Sequence, residues 1–390
     1  MPTWQHVVRC IRYISQVNLS RSDKERLRDL LRQNLPWNNL VSIAETEGVA
    51  GLLYHHLRHS DLPSPPEVIT QRLEDIYSRT SRNNLTIMSK VMDLSEMLNK
   101  NRIPAVALQG LSVFRLYGNP GLRPMGDMDL MVRPHHMGRL KKLLVEKGYQ
   151  ELFLYPAVFS KDALLLDIHT HILNLERIQS RRLIFPEDLS PMWERAVPYF
   201  DQQDCLQYYM MNLDPYDNII ALAAHAFKHS YSRLIWLTDI HESLLKLING
   251  PADWDLLVER ARSWKQEKVT LYSLLFVEKI YDFAVPVKVK YDMRIDAMSI
   301  FERKIIRMKL RGLSSDAFYI ALCLCNIEKA KDKLKFTRET VFPRKEIMSQ
   351  IFPRRFGEVK ITDYAKRLIN TIVLMCGTMR QIMRCCFKTG

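Results

Sequence analysis

The chain has 390 residues, 47% of them apolar, and a formal net charge of +14, enough for a sizeable core and for two or three domains. No apolar run reaches the roughly 20 residues that a membrane helix needs, and the opening MPTWQHVVRCIRYIS lacks the uncharged apolar stretch of a secretory signal. The seven cysteines, Cys10, Cys205, Cys323, Cys325, Cys376, Cys385 and Cys386, show no CxxC spacing, which points to reduced thiols and a cytoplasmic protein.

Residues 1–100 predict a helical region. Apolar positions recur at helical spacing in WQHVVRCIRYI and NLTIMSKVMDLSEMLNK. Ser20 and Ser22 before DKERLRDLLRQ supply helix-start chemistry, LVSIAETEGVAGLLYHHLRHS reads as helix, glycine, helix, and LPSPPE (62–67) as a turn or short linker.

The pattern changes over 101–205, which predicts an α/β unit. IPAVAL (103–108) is a short buried strand ending at Gly110, and LSVFRLYG (111–118) has helical spacing. MDLMV (128–132) is a second strand, and HHMGRLKKLLVEKGY (135–149) an amphipathic helix capped by Gly148. His135 and His136 are read as its surface start. ALLLDIHTHI (163–172) is a third strand.

Residues 206–390 predict a helical, basic region. Positions 251–390 hold 28 Lys and Arg against 16 Asp and Glu, so most of the net charge lies there. The two readings are a solvated face and contact with an anionic surface such as a membrane or a nucleic acid. The tail TIVLMCGTMRQIMRCCFKTG is expected to form a buried terminal helix. The alternative is an amphipathic helix on a membrane, with Cys385 and Cys386 open to acylation.

The chemistry concentrates around GLRPMGDMDLMVRP (121–134). Side chains on a strand repeat every two residues, so Asp127 and Asp129 are expected on one side. Two close carboxylates repel each other unless a cation lies between them, and hard ions such as magnesium suit them. The other reading is a pair of capping aspartates in a loop. Gly110, after a strand and before a helix, stands where backbone N–H groups can hold phosphate. Ser112 adds a hydroxyl, Gly121 a flexible approach to the strand, and Arg123 a guanidinium within reach of a phosphate oxygen. Asp167 offers a third carboxylate on the next strand, completing a set suited to two metal ions.

These residues resemble the bacterial uncharacterised nucleotidyltransferase family of the DNA polymerase β-like superfamily. The carrying elements are Leu108-Gln109-Gly110, then Gly121, Arg123, Asp127, Asp129, Leu130 and Val132, then Asp167, Ile168 and His169. The flanks ETEGVAGLLYHHL and HAFKHSYSRLIWLTDIHESLL extend the likeness over about 40–250. The resemblance implies an α+β fold, with a small polymerase β-like core on a mixed sheet flanked by N- and C-terminal helical regions. It further implies metal-dependent transfer of a nucleoside monophosphate from a nucleoside triphosphate to an acceptor hydroxyl. Asp127, Asp129 and Asp167 would be the catalytic and metal-holding residues for two Mg²⁺ ions, with Mn²⁺ the alternative. Gln109, Gly110, Ser112 and Arg123 would bind the nucleotide. The acceptor, whether sugar, glycan, small molecule, protein or RNA, is left open. The family usually has lysine at Gln109, with Arg115 a candidate to compensate, and tryptophan at Thr170. The Gln109 departure favours the rival reading, a nucleotide-binding or scaffold protein with weak or no turnover.

His169 shares a strand face with Asp167, and His225 and His229 share a helix face. With Asp239, these histidines either line the cleft or bond one another structurally. Histidines four apart also occur in zinc sites, but neither HExxH nor paired cysteines supports zinc here. Trp236 is read as a core residue.

Overall fold

The computed structural model describes residues 4–33, 35–175, 178–200, 209–310, 317–353 and 358–387. Seven strands form one mixed sheet: β1 Ala105–Ala107, β2 Met128–Val132, β3 Gln150–Leu152, β4 Tyr155–Lys161, β5 Leu164–His169, β6 Val197–Pro198 and β7 Met210–Asn212, in the spatial order 3-4-5-2-1-7-6. β2 runs parallel to β5 and antiparallel to β1, and β7 runs parallel to β1. Helices flank the sheet on both sides in sequence, so the fold is α+β as expected.

The three expected strands are present, β2 with the expected bounds. Every residue of β1 and β2 is buried, which is why these centre strands read as continuous apolar runs rather than as alternation. The four others escaped sequence reading for physical reasons. β3, β6 and β7 are two or three residues long. In β4 the burial runs in a block rather than alternating. β7 also carries the sheet beyond the expected end of the α/β segment at 205. Cys205 lies outside the described residues.

Alternation along β2 and β5 sorts their side chains onto two faces. Met128, Leu130, Val132, Leu166 and Ile168 point into a core closed by Ile87, Val91, Leu94, Leu140 and Leu144. These come from the 35-residue helix Glu67–Asn101 and from Pro134–Glu146, whose end is marked by Gly148 at φ +83°. Met131 faces the other way, into a larger core that joins N-terminal residues such as Leu52 and Leu53 to Ile220, Phe227 and Leu257. Asp129, Asp167 and His169 share that second face, so the carboxylates lie between the sheet and the helices Pro215–Lys228 and Leu234–Leu247.

Two glycines bring the N-terminal helices against the loop that leads into β2. A Cβ on Gly51 would meet the Gly121 carbonyl oxygen at 2.1 Å, and one on Gly121 would meet the Tyr77 ring at 2.3 Å. Gly121 was expected to lend flexibility, but its role is close approach. Ser20 caps the helix Arg21–Leu31 by accepting from the Asp23 amide. Gly48 stands at φ +78° between Trp37–Thr46 and Ala50–His59, the expected helix–glycine–helix pattern.

The C-terminal half is helical, as expected. Among the described residues Cys10, Cys323, Cys325 and Cys376 are free thiols, and no helix is long and apolar enough to cross a membrane. The terminal helix Ile361–Phe387 corrects one expectation. It is not buried: Ile361, Leu368, Ile369, Ile372, Val373 and Met375 are exposed. Its sequence has the periodicity of a core helix, and only the packing decides which side faces the protein. The side chains of Cys385 and Cys386 lie outside the described residues.

Candidate active site

Asp129 and Asp167 are register partners on the parallel strands β2 and β5, which places their carboxylates side by side. His169, two residues beyond Asp167, joins them. Its Nε2 lies 2.8 Å from Asp129 Oδ1 and 3.7 Å from Asp167 Oδ2, and its Nδ1 contacts Asn174 Oδ1. One ligand atom from each of Asp129, Asp167 and His169 falls within 4.8 Å of the others. Burial opposes charge on His169, but the hydrogen bond and charge of Asp129, with the charge of Asp167, outweigh it and raise the imidazole above its usual value. The two carboxylates beside the ring thus favour positive charge on it.

Asp127 precedes β2 in a bend and is exposed at the residue level, yet it lines the same cleft. It is not part of the three-donor group. Withdrawal from water, then the charges of Asp129 and Asp167, push its carboxyl up to about 6. The site therefore carries more negative charge than its own residues comfortably hold, and its oxygen and imidazole donors fit a divalent cation.

The cleft has a volume of about 430 Å³. Gln109 and Gly110 form part of its wall, where β1 ends and the short helix Gln109–Val113 begins. Gln109 has φ +51°, a left-handed conformation unusual for a residue with a Cβ and a local strain at the site. A Cβ on Gly110 would meet Arg123 Nη1 at 2.6 Å and Met125 Cγ at 3.1 Å, so glycine there lets these two side chains approach the turn closely. Ser112 does not line the cleft. Its hydroxyl donates to the Gln109 carbonyl at 2.9 Å.

Arg123 is largely committed elsewhere. Its Nε and Nη2 donate to the two oxygens of Asp239 at 2.8 and 2.7 Å, and Nη1 to the Pro124 carbonyl at 3.3 Å. Only its edge reaches the cleft wall. Asp239 is buried, also accepts from the Tyr117 hydroxyl at 2.6 Å, and is absent from the cleft lining. Of the two roles expected for Asp239, its position matches the structural one: it clamps the loop before β2 to the helix Leu234–Leu247. Arg115 lies over the Tyr199 and Phe200 rings at 5.7 and 5.8 Å, outside the cleft lining, so it does not stand in for a lysine at 109.

His225 and His229 do line the cleft, opposite the carboxylates, and their rings gather with Trp236 at 4.7–5.1 Å between centroids. Trp236 packs against the larger core, as expected, and also forms a wall of the cleft. Burial pushes the His225 imidazolium well down and that of His229 to about 3, so both rings are neutral. The buried Nδ1 of His225 has no hydrogen-bond partner among the described residues. Sequence reading passed over Lys228, Arg233 and Asn174, which also line the cleft. Lys228 was findable, one helical turn beyond His225. Arg233 and Asn174 sit in irregular chain and gave no periodic signal. A second cavity, of about 300 Å³, shares Pro124, Met125 and Arg233 with the cleft and is otherwise lined by N-terminal residues including Glu45, Arg79 and Asn83.

A family model described as uncharacterised nucleotidyltransferase matches residues 33–282, a span that contains the whole sheet and every residue of the cleft. No curated protein and no solved structure matches the chain.

Proposed function

The chain belongs to the uncharacterised nucleotidyltransferase family, and from that premise we propose that it transfers a nucleoside monophosphate from a nucleoside triphosphate to an acceptor hydroxyl and releases pyrophosphate. The observation that carries this reading is the Asp129–Asp167 pair, aligned across two parallel strands with His169 beside it, in a cleft that begins at the glycine turn.

Asp129, Asp167 and His169 would hold one divalent cation, and Asp127 with Asp129 a second, Mg²⁺ or Mn²⁺. When bound, such ions lower the pKa of an attacking hydroxyl and neutralise phosphate charge. Cation binding at His169 Nε2 would displace the proton now shared with Asp129. Asn174, at Nδ1, fixes which nitrogen faces the carboxylates. The glycine turn and the short helix behind it offer backbone N–H groups to the triphosphate, and Lys228, Arg233 and the edge of Arg123 supply positive charge at the cleft wall.

The acceptor oxygen attacks the α-phosphorus in line as the bond to the β-phosphate oxygen breaks. Asp167, more exposed than Asp129, takes the hydroxyl proton. The adjoining cavity gives the acceptor a place beside the phosphates.

The test is pyrophosphate release with each nucleoside triphosphate and Mg²⁺ or Mn²⁺. Wild type should release it, and Asp129→Asn should lose nearly all turnover with the fold intact. Equal rates in the two would refute the assignment. Gln109 favours a second reading, a protein that binds nucleotide without turning it over, because a neutral amide stands beside the turn where a cation would serve phosphate better. Nucleotide binding by calorimetry without pyrophosphate release would establish that reading instead.

A further inference from the structure

The terminal helix Ile361–Phe387 is docked the opposite way round from an ordinary surface helix. The side turned to the protein mixes polar groups with the part-buried Tyr364 and Leu374: Asp363 and Thr371 are buried, and Arg367 Nη2 lies 3.5 Å from the Thr340 carbonyl. Asp363 accepts from the Lys360 amide at 2.9 Å, so its carboxylate is spent on starting the helix. The side turned to solvent is apolar. Ile361 is 89% exposed and Val373 65%, and Leu368, Ile369, Ile372 and Met375 are exposed with them. At about 100° per residue, positions 361, 365, 368, 372 and 375 form one stripe, with 369 and 373 along its edge. Exposed apolar residues scattered singly need no partner, but a continuous stripe marks a contact surface.

Charge identifies the contact. Lys366 and Arg380, both exposed, lie beside the stripe. Asp363 is the helix's sole acid and faces inward. Among the described residues, no ion pair engages Lys366 or Arg380. A second copy of the chain would bring the same cationic edges together, whereas an anionic lipid surface matches both features. The acyl boundary takes the isoleucines and the headgroups take the cations. The helix does not meet the length and apolarity needed to cross a membrane, so it would lie in the interface plane.

We propose that Ile361–Phe387 holds this protein on anionic membranes by its apolar face. The family match ends at residue 282, so this surface is independent of the reaction proposed above.

The test is flotation of the full-length protein with vesicles of phosphatidylcholine alone and with about 30% phosphatidylglycerol added, the mixture that supplies negative surface potential. Wild type should partition at least about tenfold better onto the anionic vesicles, and added salt should weaken it. Ile369→Glu with Ile372→Glu should abolish binding, and Lys366→Glu with Arg380→Glu should remove the preference for anionic lipid. Neither pair should change the unfolding midpoint, because these side chains are exposed. Three results would overturn the proposal. One is absence of binding at low salt. Another is binding unaffected by the isoleucine changes. The third is a wild-type dimer that those changes turn into a monomer, which would show that a second copy covers the face.

Discussion

Arg123 and Asp239 form a buried ion pair whose rupture should be felt throughout the cleft. The guanidinium and carboxylate meet through two nitrogens at 2.8 and 2.7 Å, with side-chain exposures of 6% and 1%. Burial opposes the charge on Arg123, but the field and hydrogen bonds of Asp239 outweigh it and hold the guanidinium firmly protonated. Removing one partner leaves the other charge buried and uncompensated, which costs about 3–5 kcal/mol. Arg123→Ala should therefore destabilise by about 4 kcal/mol, since Asp239 keeps the Tyr117 hydroxyl. Asp239→Ala also strips that hydroxyl of a charged acceptor, worth about 2 kcal/mol more. The double variant should cost no more than Asp239→Ala alone, giving a coupling of about 4 kcal/mol between the two sites. The assay is urea unfolding followed by tryptophan fluorescence for wild type, both single variants and the double. Losses that add to within about 0.5 kcal/mol would refute the reasoning, because they would mean the two side chains act independently. Arg123 would then be free for a phosphate.

Gly51→Ala should destabilise by about 3 kcal/mol, because the new methyl meets backbone that cannot swing aside; an unchanged urea midpoint would count against the close helix–loop contact. Gly110→Ala should weaken nucleotide binding more than it lowers stability, since its neighbours there are side-chain atoms at the cleft wall, and a calorimetric Kd equal to wild type would contradict this. Gln109→Lys should tighten nucleotide binding several-fold, about 1 kcal/mol for replacing a neutral donor with a charged one, and unchanged or weaker binding would remove Gln109 from the triphosphate. His56 donates through Nε2 to the Gln16 carbonyl, and burial pushes its imidazolium down to about 4. Unfolded histidine titrates near 6.5, so between these values the unfolded chain binds more protons. Its stabilising contribution is full above about 6.5 and is lost as pH falls toward 4, by about 1.4 kcal/mol per unit. His56→Gln should flatten that part of the stability–pH curve, and parallel curves for the two proteins would refute the assignment.

The sequence by itself determined the elements whose signal is local. Residues 128–132 read as a strand because a centre strand is apolar throughout, and Gly148 marked a helix end because the left-handed turn there favours glycine. The period of two was enough to put Asp167 and His169 on one face of their own strand, and Asp129 opposite to Met128 and Leu130 on its strand. What no local pattern contains is pairing between distant segments. That Asp129 faces Asp167 rests on the register of two parallel strands, and a shift of one residue would have sent one carboxylate to the opposite face. Arg123 illustrates the limit. Its sequence position placed it near the phosphates, but a guanidinium entering a dry interior needs a counter-charge, and Asp239, 116 positions away, supplied it. The terminal helix shows the same division. Its apolar period was plain in the sequence, whereas the side it turns outward was set by which face met the buried Asp363 and Thr371 contacts of the folded body, a choice that periodicity alone does not encode.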